Sequence, residues 1–322
     1  MQQPVAFVLA AGLGTRLRPL TATLPKPLMP IFHKPLISFA LDSLIAAGVG
    51  TIALNTHHLP ESFRQVFGSD PHYREKGLRI FHEPLLLDTG GGMRNARSAF
   101  GESSFFLYNG DILADLPLAE LLAAHRASGA LATLLLRDGG GVANVRIDEA
   151  TGRVLDLRGS LGVQDGESMV YSGIAVFEPG IFDWIPNEGP YSIIDALLEA
   201  MRAGEQVGGL PCRSQEWPLW IDIGTPAAYF EAHRLLSLPG DRPSYMIDEH
   251  WPLAIHPEAV IHSSSRLEGI VVAGPGVTVG EDAILRDSIL WPGTTIGRAA
   301  QLEECIVRGT LPVEGKHHGV IL

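Results

Sequence analysis

Near its start the chain carries Val5-Ala6-Phe7-Val8, an unbroken apolar run. It leads into Leu9-Ala10-Ala11-Gly12-Leu13-Gly14-Thr15-Arg16-Leu17-Arg18-Pro19-Leu20-Thr21 and then Pro25-Lys26-Pro27. A short run that is apolar at every position suits a strand covered on both faces, the usual condition of a parallel sheet. Gly12 and Gly14 let the backbone leave that strand through positive φ and come close to a ligand. Successive amides in such a turn make a nest for an anion, to which Arg16 adds a planar donor fork and Lys26 a movable point charge. The pattern predicts an α/β fold that holds a polyphosphate at the end of its first strand. It is not a dinucleotide fingerprint, because the residue three after Gly14 is Leu17, and no Walker A sequence is present.

The apolar period then changes. Leu36, Phe39, Ala40, Leu44 and Ala47 fall at helical spacing with Gly48 as a stop, and Thr51-Ile52-Ala53-Leu54 follows as a second buried strand. Strand, helix and strand at this spacing form a βαβ unit, which places ligands at the carboxyl ends of its strands. Further strands are predicted over 78–83, 105–108, 132–136 and 171–177, and helices over 118–125 and 192–203. Val142 to Ile147 reads as an antiparallel edge strand fed by Gly139-Gly140-Gly141. Asp195 stands at capping-box spacing from Ser192, His57 and His58 read as loop histidines, and Asp115 reads as structural. Gly90-Gly91-Gly92 reads as a turn ahead of a helix start, where amides and the helix N-terminus favour negative charge.

The thirteen residues from Leu9 to Thr21, with Pro25-Lys26-Pro27, resemble the signature of the sugar-1-phosphate nucleotidylyltransferases, G-x-G-T-R-L-x-P-L-T followed by P-K-P. Asn109-Gly110-Asp111 and Trp220-Ile221-Asp222-Ile223-Gly224-Thr225-Pro226 resemble two further motifs of that family. Thr89-Gly90-Gly91-Gly92 looks like the branch that holds muramic-acid and mannose-phosphate nucleotidylyltransferases. The resemblance implies a Rossmann-like, mostly parallel sheet flanked by helices. It also implies transfer of a nucleotidyl group from a nucleoside triphosphate to a sugar 1-phosphate. Nucleotide contacts would come from Leu9, Ala10, Ala11, Gly12, Gly14, Thr15, Asp88, Thr89, Gly90 and Gly91. Arg16, Lys26 and Asp111 would be catalytic, and Asp111 and Asp222 would hold Mg2+. The glycine turn leans the base towards uridine over guanosine. Sugar-phosphate contacts fall to Asn144, Arg158 and Gly173. Here the chain departs from the family, with Val154-Leu155-Asp156-Leu157-Arg158-Gly159 in place of Glu-Lys-Pro; Arg158 is either a substitute phosphate clamp or a solvated strand-end arginine.

A formal charge of −12 argues against a nucleic-acid or anionic-membrane partner, which needs a basic surface. Cys212 and Cys305 are too few for a disulfide framework and read as buried thiols. With no signal peptide and no span of membrane length, a soluble cytoplasmic protein is expected, and a homo-oligomer is open to it. Beyond the Pro/Gly-rich stretch at 238–243 a repeat of about eighteen residues appears. Its rows are Ile261, Val279 and Ile296; Leu267, Leu285 and Leu302; and Val271, Ile289 and Ile306, with one corner near Pro292-Gly293 shortened. Such repeats make a parallel β-helix, here resembling the left-handed tail of several sugar nucleotidylyltransferases. The expected domains are therefore a catalytic domain at 1–238, a linker at 239–254 and a left-handed β-helix at 255–322. Two rival readings are a silent regulatory relative that binds NDP-sugar, and a bifunctional enzyme with an acyltransferase tail carrying His256 and His262.

Overall fold

The apolar runs become the strands of a nine-stranded mixed sheet. Val5–Leu9 lies at its centre, paired in parallel with Thr51–Thr56 on one side and Phe105–Asn109 on the other. The computed structural model describes residues 3–68, 70–238, 242–248, 250–309 and 311–322. Leu78–His82 continues the parallel set beyond Thr51–Thr56. On the other flank Glu167–Phe177 runs antiparallel to Phe105–Asn109, and then pairs with both Ala132–Arg137 and Val145–Ile147. Val207–Cys212 pairs in parallel with Ala132–Arg137. Val145–Ile147 is not the edge: Val154–Leu157 pairs outside it, because the chain returns through Gly152 at positive φ and lays a further strand alongside.

Helices cover the sheet. Leu36–Ala46 buries almost every apolar side chain, and Ile193–Arg202 presents Ile193, Ile194, Leu197 and Leu198 to the core. The core gathers Phe7, Phe100, Phe105, Phe177 and Phe182, with Phe100 and Phe105 stacked at 4.4 Å between centroids. Asp88–Asn95 is a helix that begins at Asp88, so Gly90, Gly91 and Gly92 lie inside it and not ahead of it. The glycines answer close packing: a Cβ on Gly90 would meet the Tyr191 carbonyl at 2.9 Å, and one on Gly91 the Gly189 carbonyl at 2.8 Å.

By packing the chain falls into two compact units. One comprises the residues up to Leu13, Leu36–Asp222 and Pro243–Tyr245; the other comprises Gly14–Pro35, Ile223–Arg242 and Met246–Leu322. The expected boundary at 238–243 lies partly outside the described residues, at 239–241.

In the second unit the helix Pro226–Leu236 starts on Thr225, whose hydroxyl oxygen accepts the Ala228 N–H at 3.2 Å. Beyond residue 254 short strands stack in parallel. Val260–Ile261, Thr278–Val279 and Thr295–Ile296 form one face; Arg266–Ala273, Ile284–Leu290, Gln301–Glu303 and Lys316–His318 form another. The first two expected rows are in register, but the third is offset. Val271 pairs with Ser288, and Ile289 aligns with Val272 and Ile306. The cause is an irregularity between Glu268 and Val271, where Gly269 takes a φ of +67° and the Ile270 N–H turns to the Asp287 carboxylate at 2.9 Å. The extra residue of the first turn sits there and not at Pro292-Gly293. Val277, Val279, Leu285, Leu290, Ile296, Leu302 and Cys305 fill the interior of the stack. Both cysteines are buried and free.

Candidate active site

The signature segment folds back on itself. Gly14 takes a φ of +61°, and the Thr21 hydroxyl donates to its carbonyl at 2.8 Å. A Cβ at Gly14 would lie 3.0 Å from both the Lys26 Cβ and the Thr21 Cγ2, so the loop closes only with glycine there. Leu17 and Leu20 anchor it from beneath, Lys26 is buried, and Thr15 and Arg16 are exposed. The Arg16 guanidinium lies where a side chain on Gly224 would begin, 2.8 Å from its ideal Cβ. The glycine of the second motif therefore makes room for the arginine of the first. Gly12, by contrast, has open space around it.

In the other unit the Val5–Leu9 strand ends on a buried polar relay. The Ala10 N–H donates to the Asn55 side-chain oxygen at 2.6 Å, and the Asn55 amide donates to Glu83 at 2.7 Å. The second Glu83 oxygen accepts the Leu87 N–H at 3.1 Å. Burial raises the Glu83 pKa, and the Asn55 and Leu87 donors oppose that shift. A Cβ on Gly92 would fall 2.7 Å from the Glu83 carboxylate. This relay ties the strand end carrying Leu9, Ala10 and Ala11 to the turn carrying Asp88 and Thr89. Asn55 and Glu83 escape sequence reasoning because a polar residue at a strand end looks like any loop residue. The one available signal was a glutamate directly before the Pro84 turn.

Asp88 and Thr89 line a cavity of about 400 Å3 together with Asn109, Asn144, Arg158, Tyr171, Ser192 and Asp195. The structure thus gathers four of the expected residues, Asp88, Thr89, Asn144 and Arg158, around one space. Asn144 is fixed from three sides. Its side-chain oxygen accepts the Tyr171 N–H at 2.9 Å, its N–H donates to Met169, and its carbonyl accepts the Arg158 N–H at 2.7 Å. Arg158 is exposed with a φ of +56°. Gly173, at a φ of +84°, is buried against Asn109, whose amide nitrogen lies 2.7 Å from its ideal Cβ. Tyr171 was missed: its hydroxyl is buried in this wall with no hydrogen-bond partner among the described residues, and burial raises its pKa. Ser192 caps its helix through the Ile194 N–H at 3.2 Å, which leaves the expected box with Asp195 unneeded; Asp195 faces the cavity.

One motif aspartate ends a strand, and the other lies in the turn just ahead of that strand's partner. Trp220–Asp222 runs antiparallel to Ile112–Ala114, with Asp222 opposite Ile112, the neighbour of Asp111. Asp222 is exposed and Asp111 half-buried. Among the described residues no three or more His, Cys, Asp or Glu side chains gather as a metal cluster. A strand-end carboxylate and one in the turn beside its partner strand still fit Mg2+, which takes hard oxygens and completes its shell from phosphates and water. Asp115 is structural, accepting the Ser244 N–H at 2.6 Å and its hydroxyl at 2.9 Å.

Residues 5–237 match the family described as nucleotidyl transferase. The chain belongs to the nucleotidyl transferase family. This nucleotidyl transferase is 28% identical to the UTP–glucose-1-phosphate uridylyltransferase of Synechocystis, over 96% of this chain and 88% of that protein. It is 30% identical to the mannose-1-phosphate guanylyltransferase catalytic subunit beta of Dictyostelium discoideum, over 80% of this chain and 72% of that one. Its fold resembles the crystal structure of HddC from Yersinia pseudotuberculosis complexed with GMP-PN, with a TM-score of 0.59 and 22% identity, covering 72% of this chain and 99% of that one. No helix among the described residues of this nucleotidyl transferase is long and apolar enough to cross a membrane.

Proposed function

We propose that this nucleotidyl transferase joins a nucleoside triphosphate to a sugar 1-phosphate, giving NDP-sugar and pyrophosphate, with UTP preferred to GTP. The observation that carries the reading is the cavity of about 400 Å3 whose wall combines the nucleotide turn, Asp88 and Thr89, with Asn144 and Arg158. A nucleotide on that turn and a sugar phosphate clamped by Arg158 would share one space. The relatives named for uridylyl and guanylyl transfer to sugar 1-phosphates support the same class.

The chemistry asks for no nucleophile from the protein. An oxygen of the sugar phosphate attacks the α-phosphorus in line; the bond from that phosphorus to the β-bridging oxygen breaks, and pyrophosphate leaves. Catalysis is then positioning and charge neutralisation. Amides from Gly12 to Thr15 cradle the triphosphate, Arg16 stabilises the departing pyrophosphate, and Lys26 holds phosphate oxygens near the reacting centre. Gly90 and Gly91 act indirectly, by letting the helix that begins at Asp88 pack under the backbone at 189–191 and so setting Asp88 and Thr89 on the cavity wall, and Gly173 lets Asn109 pack against its strand. Mg2+ held by Asp111 and Asp222 would supply charge for the phosphates.

The catalytic domain would span 1–238, the linker 239–254 and a left-handed β-helix 255–322, in a cytoplasmic protein able to form homo-oligomers. The test is pyrophosphate release with Mg2+ from the common nucleoside triphosphates against a panel of hexose and aminosugar 1-phosphates. One productive pair fixes base and sugar together. Silence across the whole matrix, with NDP-sugar binding retained, would replace this reading with the regulatory one.

A further inference from the structure

We propose that the C-terminal stack of parallel strands is a brace for the signature segment, with Arg308 and Trp291 as positioning residues for Arg16 and Lys26. The inference rests on the reading that those two side chains handle phosphate. Its first ground is packing, since Gly14–Pro35 falls in one compact unit with the helix 226–236 and the stack.

Two pins hold the segment. The Arg308 guanidinium donates to the Pro19 carbonyl, and to the Thr23 hydroxyl oxygen at 2.6 Å. Its own backbone is fixed, with its N–H donating to the Leu322 carbonyl at 2.7 Å. The second pin is a buried relay. The Trp291 Nε1–H donates to the Tyr229 hydroxyl at 3.0 Å, and that hydroxyl donates to the Pro30 carbonyl at 2.5 Å. Trp291 is in turn held to the stack by its N–H on the Val307 carbonyl at 2.8 Å.

Lys26 lies between the pins at Thr23 and Pro30, and Arg16 lies three residues ahead of Pro19. The segment between them is built of single 3-10 turns, Thr15–Leu17, Leu20–Ala22 and Lys26–Leu28. Such turns are too short to hold a shape unaided. Pins at Pro19, Thr23 and Pro30 tie the stretch around Lys26, and the turn that follows Arg16, to the stack. Misplacing a phosphate-handling group by about 1 Å costs up to 100-fold in rate.

The test uses the full chain as Arg308→Ala, Arg308→Lys and Trp291→Phe, the last keeping an aromatic ring but removing the donor. Two readouts are taken: hydrogen exchange of peptides within 14–30, and kcat and KM for pyrophosphate release. Arg308→Ala should speed exchange in that segment alone, keep the melting temperature, and lower kcat roughly 10- to 100-fold with a smaller change in KM. Arg308→Lys should recover part of the rate through one donor, and Trp291→Phe should speed exchange around Pro30. Unchanged exchange at 14–30, or faster exchange with unchanged turnover, would overturn the brace. So would exchange that rises evenly along the chain with a lower melting temperature. If the unaltered protein turns over no substrate pair, the functional reading fails, and the exchange pattern still decides whether the stack braces the segment.

Discussion

Acidification should weaken the second unit through His233 more than through any exposed group. The ring is buried between Tyr229 and Phe32, at 4.7 and 4.9 Å between centroids. Its Nδ1 contacts the Tyr229 carbonyl at 2.9 Å, so that nitrogen carries the proton, and Nε2 accepts the Phe32 N–H at 3.4 Å. A second proton would place a cation in that apolar site facing a donor. Burial, followed by the repulsion of His33, lowers the pKa from 6.5 to about 4, against the opposing Tyr229 hydrogen bond. The sign follows: the folded protein favours the neutral ring, so this stability is present above pH 6.5 and is lost as the pH falls through 4. A shift of this size is worth roughly 3 kcal/mol, of which about 2 is already gone at pH 5. Urea unfolding followed by tryptophan fluorescence between pH 7.5 and 4.5 would measure it, with His233→Gln as the variant that does not titrate. The variant is less stable at pH 7.5, and its stability falls with pH more gently by the same amount. Parallel curves for the two proteins would refute the argument.

Three further outcomes are expected. Asn55→Leu strips partners from both the Ala10 N–H and the buried Glu83 carboxyl, and thermal melts should lose about 3 kcal/mol of stability. Gly224→Ala puts a methyl group within 2.9 Å of the Arg16 guanidinium, a flexible arm that swings away. Melting should barely move while pyrophosphate release drops roughly tenfold; full activity would remove Arg16 from the mechanism. Asp111→Asn should keep the circular dichroism spectrum and lower turnover on the order of 100-fold or more; unchanged activity with Mg2+ would sink the metal assignment.

The parallel half of the sheet was readable because its strands are apolar on both faces, so Val5-Ala6-Phe7-Val8 and Phe105-Phe106-Leu107-Tyr108 admit one assignment. The flank beyond residue 139 was harder. Val145–Ile147 and Val154–Leu157 are short, and their order depends on pairings that no local pattern encodes. The glycines at 90–92 misled for a related reason. Glycine at a turn and glycine under close packing look alike in sequence, and here the crossing chain at 189–193 explains Gly90 and Gly91, and the Asn55–Glu83 pair explains Gly92. In the tail the first two rows could be read from their spacing, whereas the third was hidden by one inserted residue beside Gly269. The signature residues were visible as motifs, but the relay through Asn55 and Glu83 and the buried Tyr171 hydroxyl belong to tertiary neighbourhoods far apart in the chain.

The contact between Pro19 and Arg308 joins residues 289 apart. During synthesis at roughly 5–20 residues per second, the signature loop leaves the ribosome on the order of 15–60 s before the arginine that holds it. The parallel strands at 5–9, 51–56 and 105–109 can pair long before then. A nascent chain would thus own a formed sheet and a signature loop not yet pinned, and on the proposed function competence for phosphate would arrive late. Ribosome-stalled fragments ending before Arg308 should be compact yet inert, a built-in delay between having a fold and having an activity.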